Sequence, residues 1–267
     1  MSPSHWIVRT PAAIAAWRGV LTAHPMHLIG NESIVRLCAS PEMEQRYGEP
    51  TPVGLKRLLL QWPDECAIDA DSVFYDVGAG FGRLSAFFRI HTNASSVRGV
   101  ELNRCRHRHA LTLAESVRQE RASAAVGDID MLRGDVRQIG IADATHAFLA
   151  AQCFGEDLLV ELFRMALAAP RLRCVVVLSR KLPVTWSDRV SELVASFGQA
   201  VAVNAVPTTY FGASAAFFQR GRCGGGSAAH GPPPPPPPRW GVQRGQRCWS
   251  MDEVRAEMDR QGQRIMT

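Results

Sequence analysis

Lysine is almost missing from this 267-residue chain: only Lys56 and Lys181 stand among 30 basic side chains, so arginine carries the positive charge. Arginine stays ionised and presents a planar fork suited to carboxylates and phosphates. Paired cysteine patterns are missing too. Cys38, Cys66, Cys105, Cys153, Cys174, Cys223 and Cys248 are an odd set without a Cys-x-x-Cys step, which argues against a disulfide framework or a zinc ribbon. No metal is expected, and a reducing compartment fits. No apolar run approaches the roughly 18 residues of a membrane span. The opening Met-Ser-Pro-Ser-His-Trp lacks a charged head before an apolar stretch. A soluble intracellular protein with no membrane partner is expected. Internal repeats are not visible, which sets aside solenoids and propellers.

What is present is globular in bulk, with 46% hydrophobic and 21% charged residues and length for one sizeable domain plus an appendage. The formal charge of +5 is concentrated at the end, where eight arginines from Arg220 onward face only Asp252, Glu253, Glu257 and Asp259. Such a tail can neutralise phosphates without reading sequence, so nonspecific DNA contact is one expectation and a plain solvated tail the other. A Gly-Gly-Gly-Ser-Ala-Ala-His-Gly stretch followed by prolines 232–238 reads as a linker of flexible and then extended backbone. The proline run is either low-complexity expansion or a ligand for an aromatic groove on a partner. Ser250-Met-Asp-Glu253 resembles a capping box for a short terminal helix with the sparse apolar face Val254, Met258 and Ile265. The chain therefore divides into a helical cap (1–70), a core (71–220), a Gly/Pro-rich linker (221–239) and a basic C-terminal segment (240–267).

Texture within the first two parts sets the fold class. Pro11 opens one helical pattern, and Thr51-Pro52 supplies an N-cap and first-turn proline for another in which Val53, Leu55, Leu58, Leu59 and Trp62 crowd one side. From residue 71, short apolar runs at 72–77, 96–102, 131–135, 147–153 and 174–179 alternate with helical stretches at 82–90, 105–120 and 157–167. This βαβ alternation predicts an α/β, doubly wound, mainly parallel Rossmann-like sheet. Two further runs, 200–205 and 214–219, predict an antiparallel end.

The most informative segment is Val73-Phe-Tyr-Asp76-Val-Gly78-Ala-Gly80-Phe-Gly82-Arg83, a strand that runs through alternating glycines into a helix. Removing side chains there lets backbone approach a ligand at the carboxyl edge of the sheet. The spacing is Gly-x-Gly-x-Gly, whereas a dinucleotide pyrophosphate wants Gly-x-Gly-x-x-Gly and a bare helix N-terminus. A ligand with an ammonium group would instead welcome Asp76, and S-adenosylmethionine is such a ligand. Glu101 ends the second strand, where a vicinal ribose diol can be held, and Asp135 follows the third, where a side chain could accept the adenine amino hydrogen. Three acidic strand ends suit an adenosine-type cofactor, with a nicotinamide dehydrogenase as the rival on the same fold. Two further clusters, Arg104-Cys-Arg-His-Arg-His109 and His24-Pro-Met-His27, read as a solvated helix start and a structural segment.

Several segments together resemble one family. Tyr47-Gly48-Glu49-Pro-Thr51 before a helix, Asp76-Val-Gly-Ala-Gly-Phe-Gly, Gly99-Val-Glu101, Gly134-Asp135-Val136 and Phe154-Gly155 look like the disruptor-of-telomeric-silencing family, within the class I S-adenosylmethionine-dependent methyltransferases. Its members are histone lysine methyltransferases with a nucleotide-fold core in place of a SET domain. The likeness runs from about residue 40 to 220, and Tyr-Gly-Glu is its discriminating element. It implies methylation of a lysine in the globular core of histone H3 within nucleosomes, and hence a chromatin enzyme of the nucleus. Cofactor contacts are implied from Tyr47, Glu49, Thr51, Asp76, Gly78, Gly80, Gly82, Glu101, Asp135, Val136 and Phe154. Tyr210 and Phe217 resemble the aromatics that line the family's lysine channel, although core aromatics on an amphipathic hairpin would read the same. Two departures stand out: Ala150-Ala-Gln152-Cys-Phe-Gly155 lacks the family's Asn, for which the Gln152 amide could substitute, and Arg83 replaces the usual Gln. Another protein, a small amine, or a degenerate module that binds without turnover are the alternative functions.

Overall fold

The structure, a computed structural model, describes residues 10–23, 48–121, 128–179, 187–208 and 213–220. The linker, the basic C-terminal segment, His24 to His27, Tyr47 and Tyr210 lie outside the described residues, as does the side chain of Gln152.

Two helices precede the sheet. In α1 (Pro11–Ala23) the buried residues Ala13, Ala16, Trp17 and Val20 fall at helical spacing, and Trp17 packs edge-on against Phe87 at 5.2 Å. In α2 (Pro52–Leu60) the Thr51 hydroxyl accepts the Gly54 amide at 3.1 Å, and Pro52 takes the first turn, where its missing N–H costs nothing. Leu55, Leu58 and Leu59 turn inward, while Trp62 just beyond donates its indole N–H to the Cys66 carbonyl at 2.7 Å.

The remaining elements alternate. They are β1 (Val73–Val77), α3 (Arg83–His91), β2 (Ser96–Glu101), α4 (Arg104–Arg121), β3 (Asp128–Arg133), α5 (Val136–Ile139), β4 (His146–Leu149), α6 (Glu156–Ala168), β5 (Cys174–Ser179), α7 (Asp188–Ala195), β6 (Gly198–Val206) and β7 (Ala213–Arg220). Seven strands form one sheet in the order β3-β2-β1-β4-β5-β7-β6. The first five pair in parallel, and β7 pairs antiparallel with both β5 and β6. This is a doubly wound, mainly parallel Rossmann-like sheet, with the antiparallel end that the paired late runs foretold.

Helices cover both faces. Phe74, Phe88, Phe148, Val176 and Phe217 pack with α1 and α2 on one side; Val175, Val177, Phe163 and Phe218 pack with α6 on the other. All residues of β1, β4 and β5 are consequently buried, as parallel strands covered twice must be. Local boundaries differ from the sequence reading. The third strand begins at Asp128, and β4 stops at Leu149 before a 3-10 turn over Ala151–Cys153. Helix α7 was not anticipated, although Val190, Leu193 and Val194 set an inward face at helical spacing.

Gly54 has a structural reason to lack a side chain. A Cβ there would stand 2.1 Å from the Pro207 carbonyl oxygen, which also accepts the Thr51 amide at 3.0 Å. Gly54→Ala should therefore destabilise by about 1–3 kcal/mol through overpacking, outweighing the roughly 1 kcal/mol that alanine gains in a helix. Urea unfolding should show a lower midpoint at unchanged slope; an unchanged or higher midpoint would contradict the close approach.

Candidate functional site

The chain runs from β1 outward to β2 and β3 and then returns to β4 on the other side of β1, and this switch of order opens a crevice at the carboxyl ends of β1 and β4. A cavity of about 390 Å³ lies there, a volume suited to a small-molecule ligand. Its wall takes Glu49 from the segment before α2, Asp76, Gly78 and Gly80 from the first turn, and Glu101 from β2. Asp135 and Val136 come from the end of β3, and Phe154 from the segment after β4.

The glycine turn hangs from the neighbouring strand. Gly78 and Ala79 both donate their amides to the Val100 carbonyl, at 2.9 and 3.0 Å. Gly80 donates to Glu101 Oε2 at 2.8 Å, and Glu101 Oε1 accepts the Asn103 amide at 2.8 Å. To make these bonds the chain takes positive φ at Gly78 (79°), Gly80 (58°) and Gly82 (81°), a conformation that side-chain-bearing residues resist. The three glycines are thus a conformational requirement, besides permitting close approach. Phe154 rests on this turn: a Cβ at Gly78 would meet its ring at 3.0 Å.

Carboxylates dominate the interior of the site. Asp76 is 1% exposed, and its Oδ2 accepts the Ser85 hydroxyl at 2.6 Å. Burial pushes its carboxyl up to about 7; the Ser85 hydrogen bond opposes this and the Glu101 charge adds to it. A cationic group entering beside Asp76 would favour the ionised form. Glu49 is also buried and forms an ion pair with Arg83 at the start of α3.

Asp135 differs from its sequence reading. It caps α5, and its carboxylate accepts the Arg137 backbone amide at 2.9 Å together with Nε at 3.0 Å and Nη2 of the same residue. The Arg137 guanidinium holds this carboxyl below the usual range. An adenine amino group would have to take over part of that pairing, which is cheap for a solvated ion pair.

Other expected site residues lie elsewhere. Thr51 caps α2 and Gly82 backs onto Ala110 and Met131; neither lines the cavity. Phe217 is a correction to the expected channel role. It is fully buried in β7, edge-on to Trp62 at 4.8 Å, in the core on the far side of β5. The Arg104–His109 cluster is not merely solvated either: Arg106 is buried and lines the cavity, His107 bonds the Met131 carbonyl at 3.0 Å, and His109 packs edge-on against Phe81. No His/Cys/Asp/Glu group fit for a metal occurs among the described residues. Leu84, Leu102, Arg137 and Cys153 also line the cavity without having been singled out from sequence. Only their closeness to the strand ends could have pointed to them.

No protein-family model and no curated protein sequence matches the chain. Solved structures with a similar fold include a dimethyladenosine transferase from Plasmodium falciparum (11% identity, TM-score 0.44), covering 64% of this chain and 62% of that one. An RNA methyltransferase from Salinibacter ruber, in complex with S-adenosyl-L-homocysteine, is 18% identical with a TM-score of 0.42, covering 65% of this chain and 94% of the other. M. jannaschii TYW2, in complex with AdoMet, is 13% identical with a TM-score of 0.43, covering 62% and 74%. These are distant likenesses of fold, and the chain spans less than two thirds of the Plasmodium protein.

Two buried groups of opposite behaviour predict the pH response of stability. Asp76, raised to about 7, retains a proton in the folded state that the unfolded chain releases above its ordinary value near 4, so it favours folding at the acid end and loses this as pH rises towards 7. His146 is pushed down to about 3, first by burial and then by the Arg173 charge, while its Nε2–H donates to the Cys66 carbonyl at 3.2 Å. The unfolded chain protonates this histidine below about 6.5 and the folded chain does not, so stability falls with acid. Between about pH 4.5 and 6.5 the two slopes oppose, each near 1.4 kcal/mol per pH unit. Wild-type stability should be nearly flat in that window, Asp76→Asn should lose stability towards pH 4.5, and His146→Gln should gain it. Chemical unfolding at several pH values checks this, and parallel curves for all three proteins would refute it.

Proposed function

We propose that the protein is an S-adenosylmethionine-dependent methyltransferase whose acceptor is a lysine in the globular core of histone H3 within nucleosomes. The observation that carries the cofactor is the convergence of Asp76, Glu101 and Asp135, from three successive strand ends, on one cavity around a glycine turn. Glu101 is suited to a vicinal diol: amides occupy one acceptor position on each oxygen, and a carboxylate offers about four. Asp76 suits the cationic end of the ligand, and Val136 with Asp135 suits the base. When bound, S-adenosylmethionine supplies an electrophilic methyl group on a sulfonium.

The acceptor rests on the resemblance carried by Tyr47-Gly48-Glu49 and on the presence of Glu49 in the cavity wall. A lysine amine with an ordinary pKa near 10.4 must lose its proton before it can attack. Apolar surroundings shift it towards the neutral amine, and Phe154 and Leu158 offer such a wall beside the glycine turn. Alignment supplies the rest, so no dedicated base is needed. Nuclear location and nonspecific DNA contact through the arginine-rich tail belong to the same proposal.

Transfer of labelled methyl from S-adenosylmethionine to nucleosomes, free histones and small amines tests it. Nucleosomal histone H3 should be the preferred acceptor, and Gly80→Arg, which fills the cavity and forbids the left-handed turn, should reduce transfer at least a hundredfold. Transfer to free amines alone would remove the histone reading. Calorimetric cofactor binding without transfer to any acceptor would favour a binding module.

A further inference from the structure

We infer that Arg83 is a positioning residue for cofactor binding, acting through its buried ion pair with Glu49. The inference rests on the cofactor reading above. Arg83 opens α3 directly behind the glycine turn, and its side chain is 4% exposed against 9% for Glu49. Glu49 lines the cavity and Arg83 does not, so the guanidinium reaches a ligand through the wall, where Glu49 is the carboxylate it pairs with.

The segment bearing Glu49 belongs to no strand or helix. Downstream it is tied to the end of β6, where Pro50 bridges Thr208 and Thr51 donates to the Pro207 carbonyl. At Glu49 itself the tie runs to the first turn of α3, the same turn whose Ser85 holds Asp76. One helix start therefore fixes two acidic walls of the cavity. Removing the guanidinium would take a counter-charge from a buried carboxylate, and either protonation or movement towards water would relieve it. Both outcomes withdraw an anionic wall from a ligand that presents an ammonium group. S-adenosylmethionine and S-adenosylhomocysteine share that ammonium at their zwitterionic amino-acid end.

Calorimetric titration with S-adenosylhomocysteine tests the inference on wild type, Arg83→Gln, Arg83→Lys, Glu49→Gln and the double variant Glu49→Gln/Arg83→Gln, with thermal unfolding recorded for each. Arg83→Gln should weaken binding at least tenfold, Arg83→Lys should stay within threefold of wild type, and the double variant should bind no more weakly than Glu49→Gln alone. The double variant buries no charge, so the comparison survives if Arg83→Gln fails to fold. Lower thermal stability with binding within twofold of wild type would reduce Arg83 to a structural residue and overturn the inference. So would a further tenfold loss in the double variant relative to Glu49→Gln, since Arg83 would then act independently. If wild type itself binds no S-adenosylhomocysteine, the cofactor reading falls and takes this one with it. Wild-type binding with an indifferent Arg83→Gln removes this one alone.

Discussion

The hydrogen bond from the Gly80 amide to the Glu101 carboxylate is the constraint on which the site depends. It joins the loop after one strand to the last residue of its neighbour, so the shape of the turn is set by sheet pairing rather than by local preference. The Val100 carbonyl reinforces it by accepting two amides from the same turn. Because a charged acceptor strengthens such a bond, the turn and the carboxylate orient each other before any ligand arrives. The left-handed glycines are the conformational cost of this arrangement, and they recur at every second position because the chain must bend repeatedly within five residues.

Gathering acids around that turn demands an answer to their charge, and the structure uses a different one for each. Glu101 is answered by backbone amides, Glu49 by the arginine that opens α3, Asp135 by an arginine in the helix it caps, and Asp76 by the hydroxyl and backbone of Ser85. The Asp76 carboxyl is pushed up to about 7, because neutral donors from Ser85 do not offset full burial beside the Glu101 charge. Asp76 is thus a wall of the cavity that responds to a cation, which places a selective element at the first turn.

Most of the fold and about half of the site could be read from the chain. Alternation of runs gave the sheet, and Asp76, Glu101 and Asp135 were recognisable because strand ends are marked by glycines immediately beyond or before them. Pairings between distant segments were not readable. Nothing local links Glu49 to Arg83, and Arg106 looked like one more solvated charge in a basic stretch until the helix turned it inward. Phe217 shows a different limit. It and Phe218 are adjacent in β7, so they point to opposite faces, and the antiparallel register that sets Phe217 against Val176 decides which one meets Trp62. A shift of one residue would exchange them, and register across so long a connection is not written in either strand.

That same aromatic cluster bears on how the cavity is closed. Trp62 packs against Phe74, Phe88 and Phe217, which come from β1, α3 and β7, and its indole N–H is satisfied by the Cys66 carbonyl. The helix that ends just before Trp62 begins at Thr51, two residues after Glu49. A swinging lid needs few buried contacts and a compliant base. Here the base is a helix whose inward face is continuous with the sheet core, and whose single interior glycine admits a backbone carbonyl at close range. The described part of the segment over the cavity therefore behaves as a fixed wall, and selectivity at that wall follows from which side chains it presents.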